Sequence, residues 1–113
     1  MHEMALAEGV LRIVEDAARR EGLSRVRAVW LEIGQLASVE PEAMRFCFDA
    51  VTKDSVAAGA RLEIIATAGA AWCTQCSTPV ALAALGDACP KCGGYRLQVI
   101  GGTEMRVTEM EVE

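Results

Sequence analysis

The chain has 113 residues, which is enough for one domain or for one domain that carries a small inserted module. Hydrophobic residues make up 52% of it, so a real core can form, and its formal net charge at pH 7 is −5. This acidic balance disfavours sequence-independent binding of nucleic acid, which needs lysines and arginines to neutralise phosphates. No apolar run approaches the ~18 residues of a membrane-spanning helix, and the N-terminus lacks a basic segment followed by an apolar one. We therefore expect a cytoplasmic protein that has no membrane segment.

The first half of the chain predicts two helices and two strands. Apolar residues recur at helical spacing over residues 3–21, and Gly22 is a natural left-handed stop. Residues 25–33 predict a central strand, because both of its faces become apolar toward its end. Pro41 fits the first turn of a second helix, and residues 60–67 predict another short strand.

The second half predicts a small inserted module followed by a last strand. Residues 68–71 read as a soft linker of small residues, and residues 80–85 as a small strand or ribbon. Residues 96–100 predict a strand, Gly101-Gly102 a hairpin-type turn, and residues 103–112 the final strand. A lone terminal strand would leave its backbone groups unpaired, so we expect it to return to the main sheet.

These elements predict an α+β fold. Two helices lie on a small sheet of about three strands, and a four-cysteine zinc-ribbon module is inserted before the last strand. The predicted domains are 1–68 plus 101–113 and, for the module, 69–100.

Four of the five cysteines form two CxxC pairs, separated by twelve residues. The pairs are Cys73 with Cys76 and Cys89 with Cys92. Two such loops supply the four tetrahedral ligands of a structural zinc site and leave no open position for catalysis. Two disulfides are an alternative that the expected reducing compartment disfavours, and an iron site uses similar spacing.

The charge around the paired cysteines also favours a structural role over nucleic-acid binding. Lys91 is the only basic residue between the first and last paired cysteine, and Asp87 offsets it, so phosphate would find little charge to bind. The fifth cysteine, Cys47, falls on the apolar stripe of the second helix and reads as a buried free thiol.

The only histidine is His2, at the start of the chain. A bulky second residue should keep Met1 in place. The α-amine of Met1, the backbone nitrogen of His2 and its imidazole can then chelate one ion, and such nitrogen donors suit Ni(II) or Cu(II). Glu3 could add an oxygen or its backbone nitrogen. A lone histidine is nevertheless a weak signal by itself.

In addition, the chain resembles the HypA/HybF family of nickel metallochaperones for [NiFe]-hydrogenase maturation. Four stretches carry the resemblance: Met1–Leu6, Val39–Phe46, Cys89–Gly93 and Gly102–Val107. Some members have a histidine beside the second cysteine of each pair, where this chain has Ser77 and Gly93. That departure speaks against an acid-sensing exchange of zinc ligands here.

The resemblance implies a nickel-binding first domain and a zinc-binding second domain. It assigns Ni(II), a transient cargo, to His2 with Met1 and Glu3 beside it. It assigns structural Zn(II) to the four paired cysteines. The implied partners are a HypB-type GTPase and the hydrogenase large subunit that receives nickel, and some members also serve urease maturation. The alternative is a zinc-ribbon adaptor that docks proteins without nickel transfer. An enzyme is not expected, because no set of acid, base and nucleophile is present.

Overall fold

Two α-helices and six strands follow one another in a computed structural model, which describes residues 2–113. The helices are α1 (His2–Glu21) and α2 (Pro41–Val51), with a single 3₁₀ turn, Gln35–Ala37, between them. The strands are β1 (Val26–Gly34), β2 (Arg61–Thr67), β3 (Ala70–Cys73), β4 (Thr78–Ala81), β5 (Leu97–Gly101) and β6 (Met105–Val112). The α+β class that the sequence predicts is confirmed. Neither helix among these residues combines the length and apolar character needed to cross a bilayer.

Helix α1 buries one stripe and stops at a glycine. Its buried apolar residues are Ala7, Val10, Val14 and Ala18, which share one helical face. Gly22 has φ +66°, the left-handed conformation that glycine adopts without strain. The Leu23 N–H donates to the Ala18 carbonyl at 2.8 Å and the Gly22 N–H to the Arg19 carbonyl at 3.4 Å. This pair of bonds is the Schellman motif, so the predicted stop is confirmed with its physical cause.

Helix α2 is fixed at both ends by side-chain caps. Pro41 occupies the first turn, where its missing N–H costs nothing, and the Glu40 carboxylate accepts the Ala43 N–H at 2.7 Å. At the other end the Thr52 hydroxyl donates to the Phe48 carbonyl at 2.7 Å. The buried face consists of Met44, Cys47 and Phe48.

Strand β1 is the centre of the first sheet, whose order is β2-β1-β6. Its buried hydrophobic residues are Val26, Ala28, Val29, Leu31 and Ile33. The Gly34 N–H donates to the Glu104 carbonyl at 2.7 Å, and the Glu113 N–H donates to the Arg25 carbonyl at 3.2 Å. Because the two ends pair in reverse order, β6 runs antiparallel to β1. The last strand thus lies in the same sheet as β1 and β2.

The second sheet has the order β4-β3-β5, and both of its strand pairs are antiparallel. Three sequence predictions differ from the structure here. Gly101-Gly102 does not close a hairpin, because β5 pairs with β3 in this sheet while β6 pairs with β1 in the other. The stretch 68–71 is only partly a linker, because Ala70 and Ala71 already belong to the central strand β3. The small strand expected within 80–85 lies earlier, at Thr78–Ala81.

The chain divides into two compact units. The first consists of residues 2–31, 39–65 and 106–113, and the second of residues 32–38 and 66–105. The short segment 32–38 belongs with the cysteine-bearing unit because Leu36, only 4% exposed, lies in its core. The other members of that core are Ala71, Cys73, Val80, Leu82 and Cys89.

Candidate metal centres

The four paired cysteines converge on one point. Their sulfur atoms all lie within 4.8 Å of one another. The Sγ atoms of Cys73 and Cys92 are 3.8 Å apart, and those of Cys76 and Cys89 are 4.0 Å apart. A tetrahedron with 2.3 Å Zn–S bonds has edges of about 3.8 Å. The cluster therefore fits one tetrahedral ion, and all four thiols are free rather than joined as disulfides.

Backbone N–H groups in both cysteine loops are directed at the sulfurs. The Sγ atoms of Cys73, Cys89 and Cys92 accept the N–H groups of Cys76, Lys91 and Gly94 respectively, each at 3.4 Å. Such donors favour the thiolate over the thiol. Gly93, at φ +75°, gives the second loop the left-handed turn that follows its last ligand.

The cluster cannot carry four thiolates without a cation. A hydrogen bond from the Cys92 backbone lowers the pKa of Cys89 to about 7. The Cys92 side chain, followed by desolvation, raises the pKa of Cys76 to about 12. At neutral pH Cys76 therefore keeps its proton, and an incoming metal ion must displace it.

Burial differs among the four ligand positions. Cys73 and Cys89 are buried in the core of the second unit, Cys76 is half-buried and Cys92 is exposed. The sulfur-only donor set suits Zn(II), and tetrahedral iron uses the same donors. A closed set of four protein ligands suits a structural ion better than a catalytic one.

The predicted N-terminal site begins α1. His2 is the first residue of the helix, its side chain is 56% exposed, and its Nδ1 lies 3.8 Å from a Glu3 carboxylate oxygen. The first N–H groups of a helix have no partner within the helix, so they are open to a ligand. Met1, the third residue predicted for this site, lies outside the described residues.

Glu3 lies beside His2 but points inward. It is 7% exposed, and its Oε2 accepts the Glu40 N–H at 3.3 Å. That bond, followed by one from the backbone of Glu3 itself, lowers the pKa of the Glu3 carboxyl, so it is charged at neutral pH. The carboxylate thus links the start of α1 to the cap of α2. Sequence analysis identified Glu3 but missed Glu40, whose only signal was its place before Pro41.

Cys47 lies apart from the cluster. It is fully buried on α2 with Met44 and Phe48, which agrees with the expected buried thiol. Within residues 2–113 the four paired cysteines are the only group of three or more metal-ligating side chains that lie close together, so the structure brings no third such side chain to His2 and Glu3.

Comparison with known proteins identifies the family. A family model described as "Hydrogenase/urease nickel incorporation, metallochaperone, hypA" matches residues 1–112. The chain is 66% identical to hydrogenase maturation factor HypA of Albidiferax ferrireducens over 113 residues, all of both chains. It is 63% identical to the protein of the same name from Dechloromonas aromatica, again over the full length of both.

Solved structures share the fold. The solution structure of the Ni metallochaperone HypA from Helicobacter pylori superposes with a TM-score of 0.70 at 24% identity, covering 99% of this chain and 97% of the other. A second solution structure of a HypA protein gives 0.71 at 23% identity and covers 100% of this chain and 97% of the other.

Proposed function

Because the chain belongs to the HypA family of metallochaperones, which are not enzymes, we propose that it binds Ni(II) at its N-terminus and delivers it for [NiFe]-hydrogenase maturation. The recipient in this proposal is the hydrogenase large subunit, and a HypB-type GTPase takes part in the transfer. Urease maturation proteins are a second recipient in this proposal, since the family description names urease as well. The observation that carries the proposal is the exposed imidazole of the only histidine, at the first residue of α1.

The nickel ligands in this proposal are the α-amine of Met1 together with the backbone nitrogen and imidazole of His2. Glu3 supports the site from beside it, since its carboxylate is held by the Glu40 N–H and lies 3.8 Å from the imidazole. An exposed site with few ligands favours release as well as uptake, which a carrier of cargo needs.

Zinc(II) is the structural ion in this proposal, on Cys73, Cys76, Cys89 and Cys92. The closed sulfur tetrahedron and the N–H donors around it support this choice. The first compact unit is then the nickel-binding domain and the second the zinc-binding domain.

Equilibrium dialysis with Ni(II), on protein already loaded with zinc, tests the nickel site. Wild-type protein should bind one nickel per chain. His2→Ala should abolish that binding, and so should two extra residues before Met1, because both remove donors of the chelate. Glu8→Ala, an exposed change farther along α1, is the matched control and should keep full affinity.

Measuring the zinc content of the same samples shows whether a variant has lost nickel alone or both metals. The zinc content should stay at one ion per chain in all four proteins. If His2→Ala and the extended chain both keep full nickel affinity, the nickel site is placed wrongly. If wild-type protein binds no nickel at all and still docks its partners, the zinc-ribbon adaptor is the better description.

A further inference from the structure

Strand β6 leaves one edge of the first sheet open. It is the outer strand of the order β2-β1-β6, and within residues 2–113 no strand pairs with its far side. An open edge presents unpaired N–H and C=O groups, to which another strand can bond. At eight residues, β6 is longer than a typical strand, so this edge is long.

A groove runs beside this open edge. It has a volume of about 280 Å³ and is lined by Ile13 and Ala17 of α1 and by residues 107–110 of β6. Ile13 belongs to the apolar stripe that the sequence predicts, yet it is 53% exposed. Val107 and Met110 are half-buried on the other wall. Ile13 and Met110 thus give the groove apolar walls beside the open strand edge.

Strand β6 is acidic along the stretch that borders the groove. Glu109 lines it, and Glu111 follows two residues later. In the described part of the chain neither carboxylate takes part in an ion pair, whereas Glu113 lies 3.6 Å from the Arg25 guanidinium and 3.9 Å from that of Arg27. The chain as a whole carries a net charge of −5. A partner that meets this edge should therefore be positively charged.

We propose that this groove binds an extended, basic segment of a partner protein, which adds as a further strand beside β6. Backbone hydrogen bonds to the open edge supply affinity, because they pair N–H and C=O groups of β6 that have no partner strand. Alternate side chains of the added segment enter the groove against Ile13 and Met110, and its lysines or arginines face Glu109 and Glu111. The surface uses no residue of either metal centre.

Fluorescence anisotropy with two labelled peptides tests the proposal on the zinc-loaded full chain. One peptide alternates arginine with valine, and the other alternates glutamate with valine at the same length. The basic peptide should bind and weaken as salt rises, since the charges lie at the surface. The acidic peptide should not bind.

Two variants and two matched controls locate the binding site. Ile13→Asp and Glu109→Lys should each weaken binding of the basic peptide by about tenfold or more. Ile65→Asp changes an isoleucine that is 44% exposed on β2, the opposite outer strand, and Glu21→Lys makes the same charge change at the end of α1. Both controls should bind like wild type, and circular dichroism should show all four folded.

Three results would overturn the proposal. The first is that neither peptide binds wild-type protein. The second is that Ile13→Asp and Glu109→Lys, both folded, keep full affinity for the basic peptide. The third is that wild-type protein self-associates and Ile13→Asp alone makes it monomeric, because a second copy of the chain then covers the groove. Since the measurement involves no nickel, it can fail while the proposed delivery function stands.

Discussion

Glu3 links two helices through a single carboxylate. It accepts the N–H of Glu40, and the Glu40 side chain in turn caps the first turn of α2 by accepting the Ala43 N–H. The residue next to the proposed nickel ligand is therefore also part of the packing between the helices. Loss of nickel binding in a Glu3 variant would by itself not distinguish a lost ligand from a loosened helix start.

Stability measurements separate those two roles. Glu3→Ala should lower the thermal midpoint of unfolding, because the Glu40 N–H loses its acceptor and the two helices lose the bond that links them. Glu3→Gln keeps an oxygen at the same place and should lower it less. Glu8→Ala on the same helix is the control, and it should leave the midpoint unchanged. Circular dichroism at pH 7 on zinc-loaded protein measures all three, and a midpoint for Glu3→Ala equal to that of wild type would contradict the structural role.

Two adjacent glycines at the end of β5, Gly101 and Gly102, differ in whether they have room for a side chain. Gly102 has φ +91°, and a Cβ there would lie 2.5 Å from the Gly69 Cα. A Cβ on Gly101 would meet nothing within 4 Å. Gly102→Ala should therefore reduce the free energy of unfolding by about 2 kcal/mol or more, whereas Gly101→Ala should stay within ~0.5 kcal/mol. Urea denaturation measures the free energy of unfolding of both variants. If both lose the same amount, the close approach of residue 102 to Gly69 does not limit the size of the side chain there.

The site residues were predictable to different degrees. The four cysteines follow from spacing, because two CxxC loops have few other uses in a reducing compartment. His2 is conspicuous only as the sole histidine at the start of the chain. The bond between Glu3 and Glu40 joins residues 37 apart in sequence, and no local pattern predicts such a pair.

At the scale of elements, Leu36 anchors a segment that comes from the first half of the chain. It lies in the core of the cysteine-bearing unit, and its N–H donates to the Gly102 carbonyl at 2.7 Å. Leu36→Ala should lower the free energy of unfolding of that unit by about 2–4 kcal/mol, because it leaves a cavity among buried side chains. Leu85→Ala is the control, since Leu85 is 58% exposed and should cost little.

Denaturant unfolding followed by tryptophan fluorescence measures this effect, because Trp72 lies on β3 of the same unit. Zinc content should remain at one ion per chain in both variants under native conditions. If Leu36→Ala unfolds at the same denaturant concentration as Leu85→Ala, the segment 32–38 does not stabilise the unit.

The elements that sequence analysis predicted well are those with local causes. Both helices have an apolar period and a cap, and β1 has two apolar faces. The glycine pair at 101–102 wrongly predicted a hairpin, because a turn sequence does not specify whether the strands on its two sides pair with each other. The small residues at 68–71 suggested a flexible linker, but Ala71 is fully buried and Gly69 is closely packed, so small side chains there serve packing.

At the scale of the whole molecule, the two units depend on different forces. The first unit buries the faces of two helices and of β1, including Val14, Leu31, Met44 and Phe48. The core cluster of the second has six buried residues, and two of those six are cysteines of the metal site. Removing the ion would take away the cation that the four sulfurs surround, so most of the second unit's stability should come from metal binding.

Metal removal should therefore unfold one unit and spare the other. In heteronuclear NMR of reduced protein treated with a chelator, amide signals of residues 66–105 should lose their dispersion while those of residues 2–31 and 39–65 keep it. Cys73→Ser should have the same effect without chelator, and Cys47→Ala, which removes the thiol outside the cluster, should keep the zinc. Loss of dispersion throughout the chain would mean that the first unit also needs the ion. Unchanged spectra after complete loss of metal would contradict this prediction. They would mean that the six-residue core of the second unit keeps that unit folded by apolar burial alone.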